Sequence, residues 1–325
     1  MELISLILSF LDHRSLRTVS TVSRLFCAEA EFHLYFWVNI RTYPQYISFH
    51  IATLDSPKRR ARVSHITYTL PNSNFLNNFL LAQFPNLVSL NLDMRGLFDP
   101  ASILIPREGF PFKLRSILCD LRRVDDSFLR FIEAHPTLTE IDVICADGRN
   151  GDILPNANAP SLERVACPLS TVPSLVPGHP VTRFELIGTV NESDVVDSIL
   201  PILRKSSRPI ERLSIMVMDC SPVLFEEIAA SLPNLTILSV DVVDPTASNF
   251  SLLHTVMDAC SDSSRFTAAL SRLHFLQHLV YRIPHWHCAH LITDTTWASR
   301  LPALQSVTLF EGDAEVRLVR DATRI

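Results

Sequence analysis

The chain has 325 residues, of which 47% are hydrophobic and 19% charged, and its formal net charge is −5 at pH 7. This length and apolar content are ample for a large core, and the modest negative charge argues against nucleic acid or an acidic membrane as a partner. No stretch reaches the roughly 18 apolar residues of a membrane span. The 7 cysteines are scattered without a C-x-x-C spacing, which suits a reducing compartment, so we expect a cytoplasmic or nuclear location.

The first forty residues predict a compact set of amphipathic helices. A polar break from Asp12 to Ser15 separates two apolar runs, and either residue can cap the second helix through a side-chain oxygen. A module of this size has little core of its own and must lie against another domain or a partner. The apolar residues recur at steps of three and four, as on one buried helix face: Leu3, Ile7, Leu8, Leu11, Leu16, Val19, Val22, Leu25 and Phe26.

Residues 41–62 are interpreted as a packed connector, because Pro44 and Pro57 flank an apolar run. The connector holds the basic run Lys58-Arg59-Arg60, with Arg62 close behind it. A solvated turn explains this run better than a nuclear-import motif or an anionic-ligand patch, since four charges create only a small field in a chain of net negative charge.

From about residue 63 onward, a short apolar pattern recurs: one apolar residue, then others three and five positions later. Most starts are about 24–29 residues apart, near the 20–29-residue period of leucine-rich repeats. The third and fifth residues of each pattern fall on one face of a short strand. Helix-like segments lie between several patterns, at residues 126–134, 193–200 and 221–229. The pattern starts are Val63, Leu87, Leu114, Leu138, Leu162, Val181, Ile210, Leu235, Leu276 and Leu304.

The longest interval between patterns separates Leu235 from Leu276, and it predicts a helical insert near residues 244–274. Just beyond it, His285, His287, Cys288 and His290 could in principle bind zinc. Their spacing fits no standard structural zinc pattern, so a loop is the better interpretation. We therefore predict neither a metal nor a cofactor.

Catalytic signatures are missing from the sequence. It contains no G-x-S-x-G, no phosphate-binding glycine loop and no H-E-x-x-H, and only 7 glycines are present to form tight active-site turns. The acidic pairs at Asp125-Asp126 and Glu226-Glu227 fall near predicted helix starts, where they would complement the helix dipole. We therefore predict a non-catalytic protein.

The N-terminal residues resemble the F-box in the version common in large fungal families. The positions that match are Leu3, Ile7, Leu8, Leu11, Leu16, Val19 and Val22, together with Ser23-Arg24 and Phe26. In that family a Leu-Pro pair precedes Glu-Leu and touches a Skp-type adaptor, whereas here Met1 precedes Glu2. Residues 60–312 resemble leucine-rich repeat proteins, but the position that is Asn or Cys in the strict repeat holds other residues, such as Met218 and Val243.

These resemblances imply an α/β fold class with a small N-terminal all-α F-box-like module, residues 1–40, followed after the connector by an irregular leucine-rich-repeat solenoid at residues 63–325. The implied function is the substrate adaptor of an SCF-type cullin–RING ubiquitin ligase, which marks targets for proteasomal degradation. The seven matching positions named first would bind the Skp-type adaptor, and the repeats would bind a target protein of unknown identity.

Three alternatives stay open at this point. The chain could be a repeat-based interaction scaffold without a ubiquitin-ligase role, or an enzyme whose site carries no recognisable motif. For the fold, the rival is a nonrepetitive α/β domain with a parallel sheet and crossover helices, whose strand and helix spacing looks similar locally.

Overall fold

The computed structural model describes residues 2–69, 81–93, 109–121, 124, 126–145, 158–243, 263–283, 301, 303–311 and 314–319. The chain divides into two compact units. The first comprises Met1–Asp147 and Ala157–Ser161, and the second comprises Gly148–Asn156 and Leu162–Ile325.

The first unit opens with helices whose starts are fixed by local capping. The predicted cap at Asp12 is confirmed, because its Oδ1 accepts a hydrogen bond of 2.7 Å from the Ser15 backbone N–H. Ser23 and Thr42 cap the next two helices in the same way. The helices of this unit are α1 (Glu2–Ser9), α2 (His13–Val19), α3 (Arg24–Phe36), α4 (Tyr43–Leu54), α5 (Pro57–Arg60) and α6 (Asp126–Glu133).

The strands of the first unit run parallel, and each pairs with the strand that precedes it in the chain. Parallel neighbours require a crossover connection, and α4 and α5 supply the first one, between β1 and β2. The strands are β1 (Trp37–Ile40), β2 (His65–Tyr68), β3 (Ser89–Asp93), β4 (Ser116–Leu121) and β5 (Glu140–Cys145).

The second unit contains seven described strands, also paired in chain order. The first six are parallel, and the last is antiparallel to its neighbour. They are β6 (Arg164–Cys167), β7 (Arg183–Val190), β8 (Arg212–Val217), β9 (Ile237–Val242), β10 (His278–Ile283), β11 (Ser306–Glu311) and β12 (Ala314–Val319). A bulge interrupts the pairing of β7 with β8, and Gly188 in that bulge has a φ of +95°, which favours glycine.

Short helices connect the strands of the second unit. Ser221 caps α10 and Pro222 occupies its first turn, as the sequence predicts. The helical segments predicted at residues 126–134, 193–200 and 221–229 are confirmed. The helices are α7 (Val172–Leu175), α8 (Glu192–Asp194), α9 (Leu200–Leu203), α10 (Pro222–Ser231) and α11 (Ser263–Ser271), with a 3-10 turn at Leu169–Thr171 and a π-helical turn at Val195–Ile199.

The recurring apolar pattern forms the interior of both units. All ten pattern starts are buried, and the third residues align across neighbouring strands, so that Ile66, Leu90, Ile117 and Ile141 share one row. The row of the second unit contains Val165, Phe184, Leu213, Leu238, Leu279 and Val307. Burial of one strand face therefore explains why the pattern recurs.

The predicted fold class is wrong in its division into an all-α module and a leucine-rich-repeat solenoid. The structure is an α/β fold built on parallel strands, and the first strand follows α3 without a loop, because Phe36 ends the helix and Trp37 begins β1. The spacing does not distinguish a solenoid from a parallel α/β sheet, because any buried parallel strand with a crossover helix produces the same local apolar pattern. The domain boundaries drawn from the sequence stay predictions.

Helices long and apolar enough to cross a membrane are missing from the described part of the chain.

Candidate functional site

Helix α1 is apolar on both of its sides. Its inner side packs Ile4 and Leu8 into a small core with Leu16 and Ala30. Its outer side carries Leu3, Leu6 and Ile7 on one helix face, and Phe10 follows in the turn directly after the helix, at a spacing that continues this face. A helix that is hydrophobic all round is normally buried. The outer side of α1 is instead exposed, as are Val22 and Leu25 further along the chain. We call these six residues the apolar helix surface.

Exposure within this surface is high for such large side chains. Phe10 is 81% exposed and Ile7 is 54% exposed, whereas Leu8, one position further along the same helix, is 2% exposed. A single exposed leucine is common on protein surfaces, but a contiguous apolar face indicates an interaction site.

The structure separates the seven predicted adaptor-binding residues into two groups. Leu3, Ile7 and Val22 are exposed and belong to the apolar helix surface. The other four face the helical core: Leu8 and Leu16 are buried, and Leu11 and Val19 pack against them.

Sequence reasoning missed two exposed residues of the surface, Leu6 and Phe10, and it placed Leu25 on a buried helix face although Leu25 is exposed. The sequence does contain a pattern that predicts them. Leu3, Leu6 and Phe10 recur at steps of three and four and form a second apolar stripe, beside the stripe that packs into the core. A hollow of about 350 Å³ lies beside this helix and is lined by Leu8, Leu11, Leu16, Phe36 and Trp37, with Ser9, His33 and Asn39.

A second surface feature is the outer face of β1–β5, where side chains alternate with the buried row. One register row contains Trp37, His65, Ser89, Ser116 and Glu140. The next outward row contains Asn39, Thr67, Asn91, Leu118 and Asp142. A cleft of about 190 Å³ opens between these rows, and we call it the strand-face cleft.

Aromatic and polar contacts order the strand-face cleft. The Trp37 and His65 rings stack with their centroids 4.9 Å apart and an interplanar angle of 9°. Burial lowers the pKa of His65 below its usual value, which favours the neutral ring. The Ser116 hydroxyl donates a 2.7 Å hydrogen bond to the Ser89 hydroxyl in the middle of the row.

The basic run of the connector is not a simple solvated turn. Arg59 donates two hydrogen bonds to Glu31 Oε1, from Nε at 3.2 Å and from Nη2 at 2.7 Å. Arg62 donates to Glu31 Oε2 at 3.1 Å. Two of the four basic residues therefore join α5 and the turn after it to α3, and the contact with Glu31 raises the pKa of Arg59.

The remaining candidate residues have structural explanations or lie outside the described residues. Asp126 begins α6, as predicted, but Glu226 lies inside α10 and pairs with Arg265 at 3.0 Å. The residues His285, His287, Cys288 and His290 all fall outside the described residues, as do residues 244–262 of the predicted insert.

The described residues form no metal-sized cluster, and the two fully buried thiols are unreactive. Within the parts of the chain that the structure covers, no three His, Cys, Asp or Glu side chains converge on a metal-sized site. Burial raises the pKa of Cys119 far above its usual value and that of Cys167 to about 12, so both thiols are inert at pH 7.

Comparison with known proteins leaves the chain without an assigned family. It matches no model of a known protein family, and no curated protein matches it. The geometry described above leaves two candidate sites, the apolar helix surface and the strand-face cleft, and both lie in the first unit.

Proposed function

We propose that the protein is the substrate-recognition subunit of an SCF-type cullin–RING ubiquitin ligase. In this proposal the N-terminal helices act as an F-box-like module that binds a Skp-type adaptor, and the strand-bearing part of the chain holds a target protein. The protein itself performs no chemistry, because the ubiquitin-transfer machinery belongs to other subunits. The proposed location is the cytoplasm, the nucleus or both.

The observation that carries the proposal is the second apolar face of α1. Leu3 and Ile7, with Phe10 in the turn that follows, are exposed although the opposite side of the helix already packs on a core. Transferring such a face from water into a protein interface releases about 25 cal/mol per Å² of apolar area. Three exposed residues of this surface, Leu3, Ile7 and Val22, are also positions that match the F-box resemblance.

The buried residues of the same motif have a supporting role in the proposal. Leu8 and Leu16 form the core that fixes the orientation of α1, while Leu11 and Val19 pack around it. Substituting these residues would unfold the helices and would not report on adaptor binding alone. The informative substitutions are therefore on the exposed side.

The test is co-expression with a Skp-type adaptor, followed by affinity purification and size-exclusion chromatography. We expect the wild-type chain to form a 1:1 complex. Ile7→Asp should weaken adaptor binding by at least about 30-fold, as for a hot-spot residue at the centre of an interface, because it places a charge in the desolvated centre of the contact.

The matched control is Ile51→Asp on α4. Ile51 is 66% exposed in the same unit and outside the apolar helix surface, so this variant should bind the adaptor as the wild type does. Both variants should unfold within about 0.5 kcal/mol of the wild type. A wild-type chain that does not bind, or an Ile7→Asp variant that binds normally, would refute the adaptor role and favour an interaction scaffold without a ligase partner.

A further inference from the structure

Strand β12 is the last strand in the sheet order of the second unit, and within the described residues only one of its edges is paired. On that edge it runs antiparallel to β11, with Glu315 opposite Phe310 and Arg317 opposite Thr308. The other edge of a terminal strand presents unpaired backbone N–H and C=O groups, which are a template for pairing with another chain. The free edge of β12 can therefore accept one further strand.

The exposed side chains of β12 carry charges of opposite sign. Glu315, Arg317 and Val319 occupy alternate positions, which places them on one face of the strand, and all three are exposed. Neither Glu315 nor Arg317 forms an ion pair within the part of the chain that the structure describes. A complementary strand at the free edge therefore has a cation opposite Glu315 and an anion opposite Arg317.

A second copy of β12 meets this requirement in one symmetric register. Directly opposite residues of antiparallel strands must both turn their backbone groups toward each other or both away. Because this direction alternates along a strand, a two-fold axis between identical strands has to pass beside a residue. An axis beside Val316 places Glu315 of each copy opposite Arg317 of the other, whereas an axis beside Glu315 or Arg317 places that charge opposite itself.

We propose that two copies of the chain associate through β12, which pairs antiparallel with itself about a two-fold axis beside Val316. Backbone hydrogen bonds form the new ladder, and a Glu315–Arg317 pair lies on each side of the axis. The same surface is used by both copies, so the association closes at two chains and covers the free edge of both. A dimer that carries one adaptor on each copy keeps the 1:1 stoichiometry of the proposed ligase complex.

The experiment is sedimentation velocity of the full-length chain at concentrations from about 1 to 200 µM. The paired segment is short, so its interface is of the small, weakly associating class, and we expect a dissociation constant in the micromolar range. Glu315→Arg places arginine opposite arginine on both sides of the axis, and Arg317→Glu places glutamate opposite glutamate. Each variant alone should raise the dissociation constant at least about ten-fold.

The decisive sample is an equimolar mixture of the two variants, one of them fluorescently labelled. Glu315→Arg has two positive side chains on the exposed face of β12, and Arg317→Glu has two negative ones. A mixed dimer therefore regains two pairs of opposite charge. We expect the labelled variant to dimerise in the mixture within about three-fold of the wild-type dissociation constant, although neither variant does so alone.

The matched control is Glu227→Arg, which makes the same change of charge at an exposed position of α10 in the second unit. It should dimerise as the wild type does, and all the variants should keep the thermal stability of the wild type because their substitutions are exposed. A wild-type chain that stays monomeric, single variants that dimerise normally, or a mixture that does not dimerise would overturn the proposal. A control as weak as Glu315→Arg would also overturn it, because net charge would then govern the association.

Discussion

The two units of the chain have matching interiors but different first outward rows. In both units the buried row consists of aliphatic or aromatic residues in register, such as Ile117 in the first and Leu213 in the second. The first outward row of the first unit ends in Ser89, Ser116 and Glu140. The corresponding row of the second unit begins with Arg164, Arg183 and Arg212.

The comparison of the two units shows that folding restricts the residues of the inner strand face much more than those of the outer face. Burial demands apolar side chains on the inner face whatever the outer face contains. Three arginines in register on adjacent strands repel one another, and a nearby carboxylate offsets part of this repulsion in the 3.7 Å pair of Arg164 with Glu185. Burial therefore constrains the inner faces to be alike, whereas it leaves the charges of the outer faces free to differ between the two units.

The largest effects on stability should come from substitutions in the buried row of each unit. Ile117→Ala and Leu213→Ala each remove most of a side chain that is at most 2% exposed, so each should lower the free energy of unfolding by about 2–5 kcal/mol. Urea unfolding followed by circular dichroism measures both. A loss below about 1 kcal/mol in either unit would show that the interiors are not equivalent.

An intermediate effect on stability should come from His135, which occupies an apolar position in the first unit. His135 precedes Pro136 just as Leu232 precedes Pro233 in the second unit, and both side chains are buried. The imidazole packs against Phe110, Phe112 and Phe131, and neither ring nitrogen has a hydrogen-bond partner among the described residues. Its burial lowers the pKa of His135 from 6.5 to about 4.

The lowered pKa makes the stability depend on pH in a defined direction. Between pH 6.5 and about 4 the unfolded chain binds a proton at His135 and the folded protein does not, so stability falls as the pH falls, by up to about 3 kcal/mol. His135→Phe should remove this component and stabilise the protein at pH 7 by about 1–3 kcal/mol. Thermal unfolding of the wild type and of His135→Phe across this pH range tests the prediction. If the unfolding temperatures of both proteins depend on pH in the same way, the apolar environment assigned to His135 is contradicted.

The smallest effects should come from two ion pairs of similar geometry but different burial. Glu31 forms ion pairs with Arg59 and Arg62 in a partly buried position of the first unit, whereas Glu226 forms an ion pair with Arg265 near the surface of the second. Glu31→Gln should destabilise by about 1–2 kcal/mol, and Glu226→Gln by no more than about 0.5 kcal/mol. The urea midpoints of the two variants, measured side by side, test this order, and equal shifts would contradict the role assigned to burial.

The sequence predicts the local elements well and their assembly less well. The strand positions of the recurring pattern and the cap at Asp12 follow from short-range physics: burial of alternate residues and satisfaction of a free backbone N–H. The fold class does not follow, because a solenoid and a parallel α/β sheet bury the same local pattern. Strand β1 was missed because Trp37 to Ile40 is four residues long and directly continues a helix.

The candidate site shows the same limit. Steps of three and four residues identify α1 as a helix, but they do not say which of two apolar stripes faces the core. Ile7 and Leu8 are therefore equivalent in the sequence, although one is exposed and the other buried. The strand-face cleft depends on register between strands about 25 residues apart, which no local pattern specifies.

The central claim is that α1 and its exposed neighbours bind a Skp-type adaptor. The most direct test is hydrogen–deuterium exchange of the full-length chain, with and without purified adaptor. We predict slower exchange in peptides covering residues 2–26 and unchanged exchange in β2–β5. Unchanged exchange at residues 2–26, or protection confined to the strands, would contradict it.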